Sequence, residues 1–428
     1  MRDLRKYEEE IIDIRIEELK EISEKEIAFQ SLKSLIINNK DYNVTNIGDN
    51  LFVFIKKGRK FRNNRTKAFK IKQYFKKRDL TCLNIEGNYF TALPKEIGNL
   101  NNLSYLNVRD NQLSELPKEI GKLTKLVKLN LKDNQLSELP KEIRSLIHLT
   151  NLNFESNQLD ELPKEIGNLI HLNNLNLKNN LTSLPKEIGE LNNLTTLDLK
   201  LNHLTTLPKD IVNLTNLTTL NLEGNKFTAL SEEIGKLTNL TNLIIKHNTL
   251  THLPREIGNL IYLTHLNFSL KLIKIIHLNI STNDIKEFPN EIGNLTNLTN
   301  ISFTNNKIKR LPKEIGNLIK LTDMFMGNNQ IEELPKEIGN LTKLNNLNIN
   351  NNKLVELPKE IINLTNLINL SICGNQITKL PKEIGNLSKL TELYLSNNQI
   401  IELPKEIKNL TNLSILNNEI SITRSRFN

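Results

Sequence analysis

Apolar residues recur with a 23-residue period through most of the chain, in the pattern L-x-x-L-x-L-x-x-N-x-L-x-x-L-P. One complete unit comprises Leu103, Leu106, Val108, Asn111, Leu113, Leu116, Pro117, Ile120 and Leu123. The L-x-L core alternates with a period of two, which predicts a short strand with one buried face. A single strand of this kind cannot bury that face alone. Stacked copies are therefore predicted to form a solenoid with a parallel sheet and a continuous leucine core.

The step between successive prolines is 23 residues almost everywhere along the chain, but Pro163 and Pro185 are separated by 22 residues. Ser231 stands where a further proline is expected. Proline suits the first turn of a short helix or helical turn, because its missing N–H costs nothing there. The Ile and Leu that follow each proline by three and six positions are expected to face inward. The Lys–Glu pairs beside the proline then form a solvated surface and not a catalytic dyad.

An asparagine follows each predicted strand, where the chain must turn away. Its amide can donate to and accept from buried backbone groups, so we expect a hydrogen-bonded ladder through the repeats. Fourteen residues are assigned to this ladder: Asn88, Asn111, Asn134, Asn157, Asn180, Asn202, Asn225, Asn248, Asn283, Asn306, Asn329, Asn352, Asn375 and Asn398.

One interval between prolines, from Pro254 to Pro289, exceeds the period, which places a 12-residue insertion near residues 266–280. The sequence HLNFS at 265–269 is repeated as HLNIS at 277–281, so either copy could supply the strand. If both were strands, His265 and His277 would be close neighbours. Two histidines without a third ligand are a weak metal site, and a simple loop insertion is favoured.

The repeated asparagine, proline and leucine positions resemble those of the leucine-rich-repeat family. The resemblance covers residues 79–428 and is to the 23-residue type of intracellular Ras-group and bacterial proteins. It implies an α/β solenoid, a leucine-rich-repeat horseshoe with a concave parallel β-sheet and short convex helical turns. It also implies a non-enzymatic scaffold that binds a protein partner on the concave face.

The middle exposed position of each predicted strand is asparagine in eight of fourteen repeats, so the concave face is polar and mostly uncharged. Interface hot spots are usually aromatic or arginine residues. The departures from asparagine and the neighbouring large side chains are therefore the candidate partner-binding residues: Tyr105, Arg109, Ile244, Phe325 and Tyr394. Single apolar surface residues are common, so Phe325 also has an ordinary structural interpretation.

Residues 1–78 lie outside the repeat. Residues 1–49 carry 8 basic and 12 acidic residues, and apolar spacing of three and four predicts an amphipathic helix over residues 3–37. Terminal repeats need their open leucine face covered, so this helical region is expected to be an amino-terminal cap. The sequence LFVFI at 51–55 favours a strand within the following segment.

Residues 50–78 carry 12 basic residues and no acidic one, with aromatic residues between them. Such a segment suits nucleic acid, an anionic membrane surface or a nuclear import signal. It could equally pack on the first repeat with its lysines facing the acidic helix. The candidate polyanion-binding residues are Lys56, Lys57, Arg59, Lys60, Arg62, Lys76, Lys77 and Arg78.

Catalytic and cofactor motifs are absent from the sequence. It contains no phosphate-binding glycine loop, no H-E-x-x-H and no zinc-spaced cysteines, so no catalytic residue, metal site or cofactor is assigned. Cys82 and Cys373 are the only cysteines, which excludes a disulfide framework and favours a reducing compartment. No apolar run is long enough to cross a bilayer. The charged start of the chain does not resemble a secretory signal, so a cytoplasmic location is expected, or a nuclear one if residues 56–78 direct import.

Overall fold

The computed structural model describes residues 51–54, 80–260 and 277–416. The chain divides into two compact units between Leu194 and Thr195. The predicted helix over residues 3–37 lies outside the described residues.

The first unit contains parallel strands that hydrogen-bond in chain order. They are β1 (Leu51–Phe54), β2 (Leu80–Asn84), β3 (Tyr105–Asn107), β4 (Lys128–Asn130), β5 (Asn151–Asn153) and β6 (Asn174–Asn176). From β2 onward each strand aligns its central leucine with the central leucine of the next strand. β1 confirms the strand expected within LFVFI, and it pairs in parallel with β2.

The second unit repeats this arrangement. Its strands are β7 (Thr196–Asp198), β8 (Thr219–Asn221), β9 (Asn242–Ile244), β10 (His277–Asn279), β11 (Asn300–Ser302), β12 (Asp323–Phe325), β13 (Asn346–Asn348), β14 (Asn369–Ser371), β15 (Glu392–Tyr394) and β16 (Ser414–Leu416). All neighbouring strands pair in parallel. The parallel sheet predicted from the L-x-L core is thus confirmed in both units.

The predicted helical turns are five-residue 3₁₀ turns, each preceded by a proline or by Ser231 in extended conformation. In the first unit they span Lys95–Asn99, Lys118–Lys122, Lys141–Ser145, Lys164–Asn168 and Lys186–Glu190. In the second unit they span Lys209–Asn213, Glu232–Lys236, Arg255–Asn259, Asn290–Asn294, Lys313–Asn317, Lys336–Asn340, Lys359–Asn363, Lys382–Asn386 and Lys405–Asn409.

The core lies between the layer of strands and the layer of 3₁₀ turns. Leu106 of β3 and Val108 directly after it are fully buried, as are Ile120 and Leu123 after Pro117. The lysine that follows most of the prolines is exposed, as expected for a solvated surface. Burial of one apolar side chain contributes about 1.5–3 kcal/mol, so the repeated leucines are the main source of stability.

Glycine in the 3₁₀ turns lets neighbouring repeats approach closely. A Cβ at Gly316 would lie 2.5 Å from the backbone oxygen and 2.6 Å from the Cβ of Glu337 in the next repeat. Ile362 stands at the equivalent position two turns further on, and a shallow surface cleft opens beside it between Asn340 and Asn386. The bulk of the side chain at this position therefore controls how closely successive turns pack.

The asparagine ladder is confirmed in the described repeats. Asn134 Nδ2 donates to the backbone oxygens of Val108 (3.0 Å) and Leu131 (2.9 Å), and its Oδ1 accepts from the N–H of Leu113 (3.1 Å). Equivalent bonds recur at the other ladder residues. No buried side-chain nitrogen or oxygen of the described residues lacks a hydrogen bond.

The assignment of Asn180 to the ladder is wrong, because Asn179 occupies that position. Asn179 is 6% exposed, accepts from the N–H of Asn157 (2.7 Å) and donates to the oxygen of Phe154 (2.9 Å), whereas Asn180 is exposed. In the other described repeats the residue before the ladder asparagine has a φ between 53° and 69°. The 22-residue repeat lacks this left-handed residue, so its ladder asparagine comes one position earlier.

The 12-residue insertion lies before β10 and not after it. β10 uses the second copy of the repeated sequence, and His277 pairs with Asn242 of β9 and Asn300 of β11 in ordinary register. The preceding 3₁₀ turn ends at Asn259. The insertion therefore falls between Asn259 and His277. His265, the other histidine of the duplicated sequence, lies outside the described residues.

Candidate functional site

The sheet has one face on the leucine core and one open face, which is the face expected to be concave. Three columns of side chains form the open face. The first column is the residue before each buried strand leucine, the middle column is the residue after it, and the third column lies two positions further on. In the repeat of β4 these are Lys128, Asn130 and Lys132.

The middle-column asparagines have a structural role, because the side chain of each caps its own strand by accepting a hydrogen bond from the backbone at the strand end. The Oδ1 of Asn130 accepts from the backbone N–H of Lys132 (3.2 Å), two positions on. The same bond is made by Asn84, Asn107, Asn153, Asn176, Asp198, Asn221, Asn279 and Asn348. A short amide or carboxylate side chain that bonds its own backbone in this way ends a strand locally.

Between β2 and β15, the middle-column residues that depart from this rule all lie in the second unit: Ile244, Ser302, Phe325, Ser371 and Tyr394. Isoleucine and phenylalanine have no side-chain oxygen. The hydroxyl of Tyr394 is bonded to Glu392 instead (2.9 Å). Ile244, Phe325 and Tyr394 therefore lack the side-chain cap that the repeat uses elsewhere, and departures of this kind are expected at functional sites. At Ser371 the cap is replaced, because the N–H of Cys373 donates to Asn350 Oδ1 (2.7 Å).

The third column of the first unit holds charges that neutralise one another. Glu155 bridges Lys132 (2.6 Å) and Lys178 (3.2 Å). Arg109 Nε lies 3.2 Å from Asp133 Oδ2 and 4.0 Å from Glu86 Oε1. These side chains are consequently engaged within the face.

Burial of Glu155 would raise the pKa of its carboxyl, but hydrogen bonds and charge from the two lysines hold it below its usual range. These ion pairs therefore stabilise the unit above the unfolded pKa of glutamate. That stability is lost as the pH falls through the lowered pKa of the folded state.

In the second unit the third column changes character along the sheet. Glu223 bridges Lys200 (3.0 Å) and Lys246 (3.3 Å) on the first three strands. From β10 to β15 the column is small and uncharged: Ser281, Thr304, Gly327, Asn350, Cys373 and Ser396. The third-column side chains of β10–β15 are therefore shorter than those of β7–β9, and none of them is a lysine.

The first column of β12–β15 carries two acidic residues, Asp323 and Glu392, with Asn346 and Asn369 between them. Asn346 donates to Asp323, and Thr322 Oγ1 donates to the other carboxylate oxygen (2.7 Å). The hydrogen bond between Tyr394 and Glu392 raises the pKa of the Tyr394 hydroxyl. Each acidic residue thus shares a strand with an aromatic residue of the middle column.

The predicted partner-binding residues are divided between the two units. Tyr105 and Arg109 lie in the first unit, whereas Ile244, Phe325 and Tyr394 are half-buried on β9, β12 and β15 of the second. Burial, followed by the nearby Cys82 and Glu86, raises the pKa of Tyr105.

The candidate polyanion-binding residues, from Lys56 to Arg78, lie outside the described residues.

Asp323 and Glu392 were not predicted from the sequence. The signal that could have found them is an acidic residue two positions before an aromatic one, in the triplets Asp-Met-Phe and Glu-Leu-Tyr.

Metal-ligand clusters and membrane-spanning helices were sought in the part of the chain that the structure describes. Within residues 51–54, 80–260 and 277–416 no three His, Cys, Asp or Glu side chains are placed to hold a metal ion. No helix in the same ranges is long and apolar enough to cross a membrane.

The two thiols are expected to differ in reactivity. Cys82 is buried, which raises the pKa of its thiol to about 12, whereas Cys373 is half-buried on the open face. Since the thiolate is the reactive form, native protein should alkylate quickly at Cys373 and at Cys82 only after denaturation. Peptide mass spectrometry after a short iodoacetamide pulse tests this. Equal labelling of both cysteines in native protein would contradict it.

Comparisons with known proteins agree with this architecture. A family model described as a leucine-rich repeat region matches residues 60–153, 164–226 and 313–424, and another, described as a leucine rich repeat, matches residues 216–237. A solved leucine-rich-repeat protein of Leptospira interrogans is 42% identical, with a TM-score of 0.73, over 81% of this chain and 86% of that one. No curated protein matches the chain significantly.

Two further solved structures are more distant. An internalin of Listeria monocytogenes is 25% identical, with a TM-score of 0.64, over 83% of this chain and 95% of that one. The plant peptide hormone receptor RGFR1, solved in complex with RGF2, is 27% identical, with a TM-score of 0.62. That match covers 81% of this chain but 60% of the receptor chain, so this chain spans less than two thirds of it.

Proposed function

Because the chain belongs to the leucine-rich-repeat family, whose members generally mediate protein–protein interaction, we propose that it is a non-enzymatic scaffold that binds a protein partner. The proposed binding surface is the open face of the sheet in the second unit, centred on Phe325 and Tyr394. Ile244 on β9 is the proposed edge of this surface. The partner is a protein whose contact segment fits a shallow face.

One observation carries this proposal. Asparagine in the middle column caps its own strand, and Phe325 and Tyr394 replace it with large aromatic side chains that do not. Phe325 and Tyr394 therefore have no capping role in their strands. Aromatic residues are the commonest anchors of protein interfaces. The neighbouring third-column residues Gly327 and Ser396 are small, which leaves room for a partner beside the rings.

Tyr105 and Arg109 have a smaller proposed role. Arg109 is engaged with Asp133 and Glu86, so a partner would have to compete with two acidic residues for its guanidinium. A peptide complex among the structural neighbours, that of RGFR1 with RGF2, supports a protein or peptide as the ligand. The cytoplasmic location proposed for this chain rests on its two free cysteines.

The alternative function, polyanion association through residues 56–78, stays a prediction from the basic and aromatic residues of that segment. The +12 charge of residues 50–78 supports it. It requires binding that weakens steeply with salt.

The proposal is tested with the double variant Phe325→Asn/Tyr394→Asn, which restores the residue that the repeat uses elsewhere. We expect the free energy of unfolding to stay the same or rise by about 0.5–1 kcal/mol, because the strand caps are regained. A protein partner captured by the unmodified full-length chain should no longer be retained. Affinity capture with identification by mass spectrometry measures this.

The matched control is Thr219→Ala, a substitution on β8 of the same face, which should retain the partner. A second variant replaces Lys56, Lys57, Arg59, Lys60, Arg62, Lys76, Lys77 and Arg78 with glutamine. Loss of capture in this variant, with full retention by Phe325→Asn/Tyr394→Asn, would reject the proposed surface in favour of the basic segment.

A further inference from the structure

We propose that the open face of β12–β15 recognises an extended basic segment of the partner through two acid–aromatic pairs, Asp323 with Phe325 and Glu392 with Tyr394. This inference rests on the proposed function and adds the chemistry of the ligand. Within each pair the residues are two apart on one strand, so both side chains lie on the same face. The arrangement occurs twice, once on β12 and once on β15.

The two carboxylates have no cationic partner among the described residues. Asp323 accepts hydrogen bonds from Thr322 and Asn346, and Glu392 accepts one from Tyr394. All of these donors are neutral. Negative charge therefore remains at both ends of this stretch of the face.

Two other acidic residues of the open face are neutralised by the fold. Glu155 and Glu223 each bridge two lysines of the neighbouring repeats. The lysine columns that neutralise them end at Lys246, and the third column of β12–β15 is uncharged. Asp323 and Glu392 are thus carboxylates of this face that remain available to an external cation.

A carboxylate beside an aromatic ring fits the side chain of arginine or lysine. The carboxylate binds the charged head, and the ring face attracts the cation and covers the aliphatic stem. The same face would repel a nucleic acid or another anionic polymer. Its negative charge therefore selects a basic ligand.

The separation of the two pairs sets the spacing of the basic residues. β12 and β15 are three strands apart, which is about 14 Å at about 4.8 Å per strand. An extended chain rises about 3.3–3.6 Å per residue, so two basic residues four positions apart span the same distance. Between the pairs, the middle-column residues Asn348 and Ser371 are polar and uncharged, which suits the uncharged residues between the two basic ones.

Fluorescence anisotropy with the full-length chain tests this inference at low salt. The probe is a labelled peptide Gly-Ser-Arg-Ser-Thr-Ser-Arg-Ser-Gly, whose arginines are four positions apart. The comparison peptides move the arginines to two positions apart or replace both with glutamine. We expect the first peptide to bind at least about tenfold more tightly than either of the others.

The isosteric variant Asp323→Asn/Glu392→Gln should weaken binding of the first peptide by about tenfold or more, because it removes both charges and keeps the shape. The matched control, Asp198→Asn on β7, removes a carboxylate from the same face and should leave the affinity unchanged. Raising the salt to about 0.5 M should weaken binding of the unmodified chain.

The inference is overturned if the first peptide does not bind, or if binding is insensitive to Asp323→Asn/Glu392→Gln. Failure of the proposed function is distinguishable from this. A captured protein that is lost with Phe325→Asn/Tyr394→Asn, yet unaffected by Asp323→Asn/Glu392→Gln, would support the binding surface and reject the basic ligand.

Discussion

Replacing Asn179 with alanine is expected to lower the free energy of unfolding of the first unit by about 1–3 kcal/mol. The substitution leaves the buried N–H of Asn157 without its acceptor. The carbonyl of Phe154 loses one of its two donors but keeps Asn157 Nδ2 (3.1 Å). One buried polar group is thus left without a hydrogen bond, which costs about 1–3 kcal/mol. Urea denaturation followed by circular dichroism measures the loss.

The neighbouring residue provides the control. Asn180 has the same side chain but is exposed, so Asn180→Ala should change the free energy of unfolding by less than about 0.5 kcal/mol. Hydrogen exchange adds a local measurement, because the amide of Asn157 should lose protection in Asn179→Ala and keep it in Asn180→Ala. A larger effect at Asn180 would mean that the 22-residue repeat keeps the ordinary spacing.

Replacing Gly316 with alanine is expected to destabilise the second unit by about 2–3 kcal/mol. The added methyl group would overlap the backbone of Glu337, which cannot rotate away as the end of a flexible side chain could. The two 3₁₀ turns must separate, and the apolar contacts beneath them are weakened. Thermal and urea denaturation of the full-length chain measure the change.

Gly327 is the control for the glycine effect in the same unit. A Cβ there would lie 3.2 Å from Asn348 Oδ1 and 3.3 Å from the oxygen of Asn350, and so needs only a small adjustment. Gly327→Ala also reduces the freedom of the unfolded chain, so the net change should stay within about 1 kcal/mol. Equal destabilisation by both substitutions would show that close packing of the 3₁₀ turns is not the cause.

The candidate site was only partly predictable. Phe325 and Tyr394 stand out in the sequence because they interrupt a column of asparagines. The sequence does not reveal that those asparagines cap their own strands, since the bond depends on the backbone direction at the strand end. Nor does it separate the paired carboxylate of Glu155 from Asp323, because the lysines that bridge Glu155 come from neighbouring repeats.

The sequence by itself determined the repeat, the buried strand leucines, the proline-led turns and the family. These features follow from local periodicity, and many copies of one pattern leave a single way to bury the leucines. Tertiary structure decided which asparagine joins the ladder in the 22-residue repeat, since Asn179 and Asn180 are adjacent and chemically identical. It also decided which copy of the duplicated segment forms β10 and which charges on the open face are neutralised. Each of these depends on contacts between residues in neighbouring repeats, far apart along the chain, which local sequence pattern does not specify.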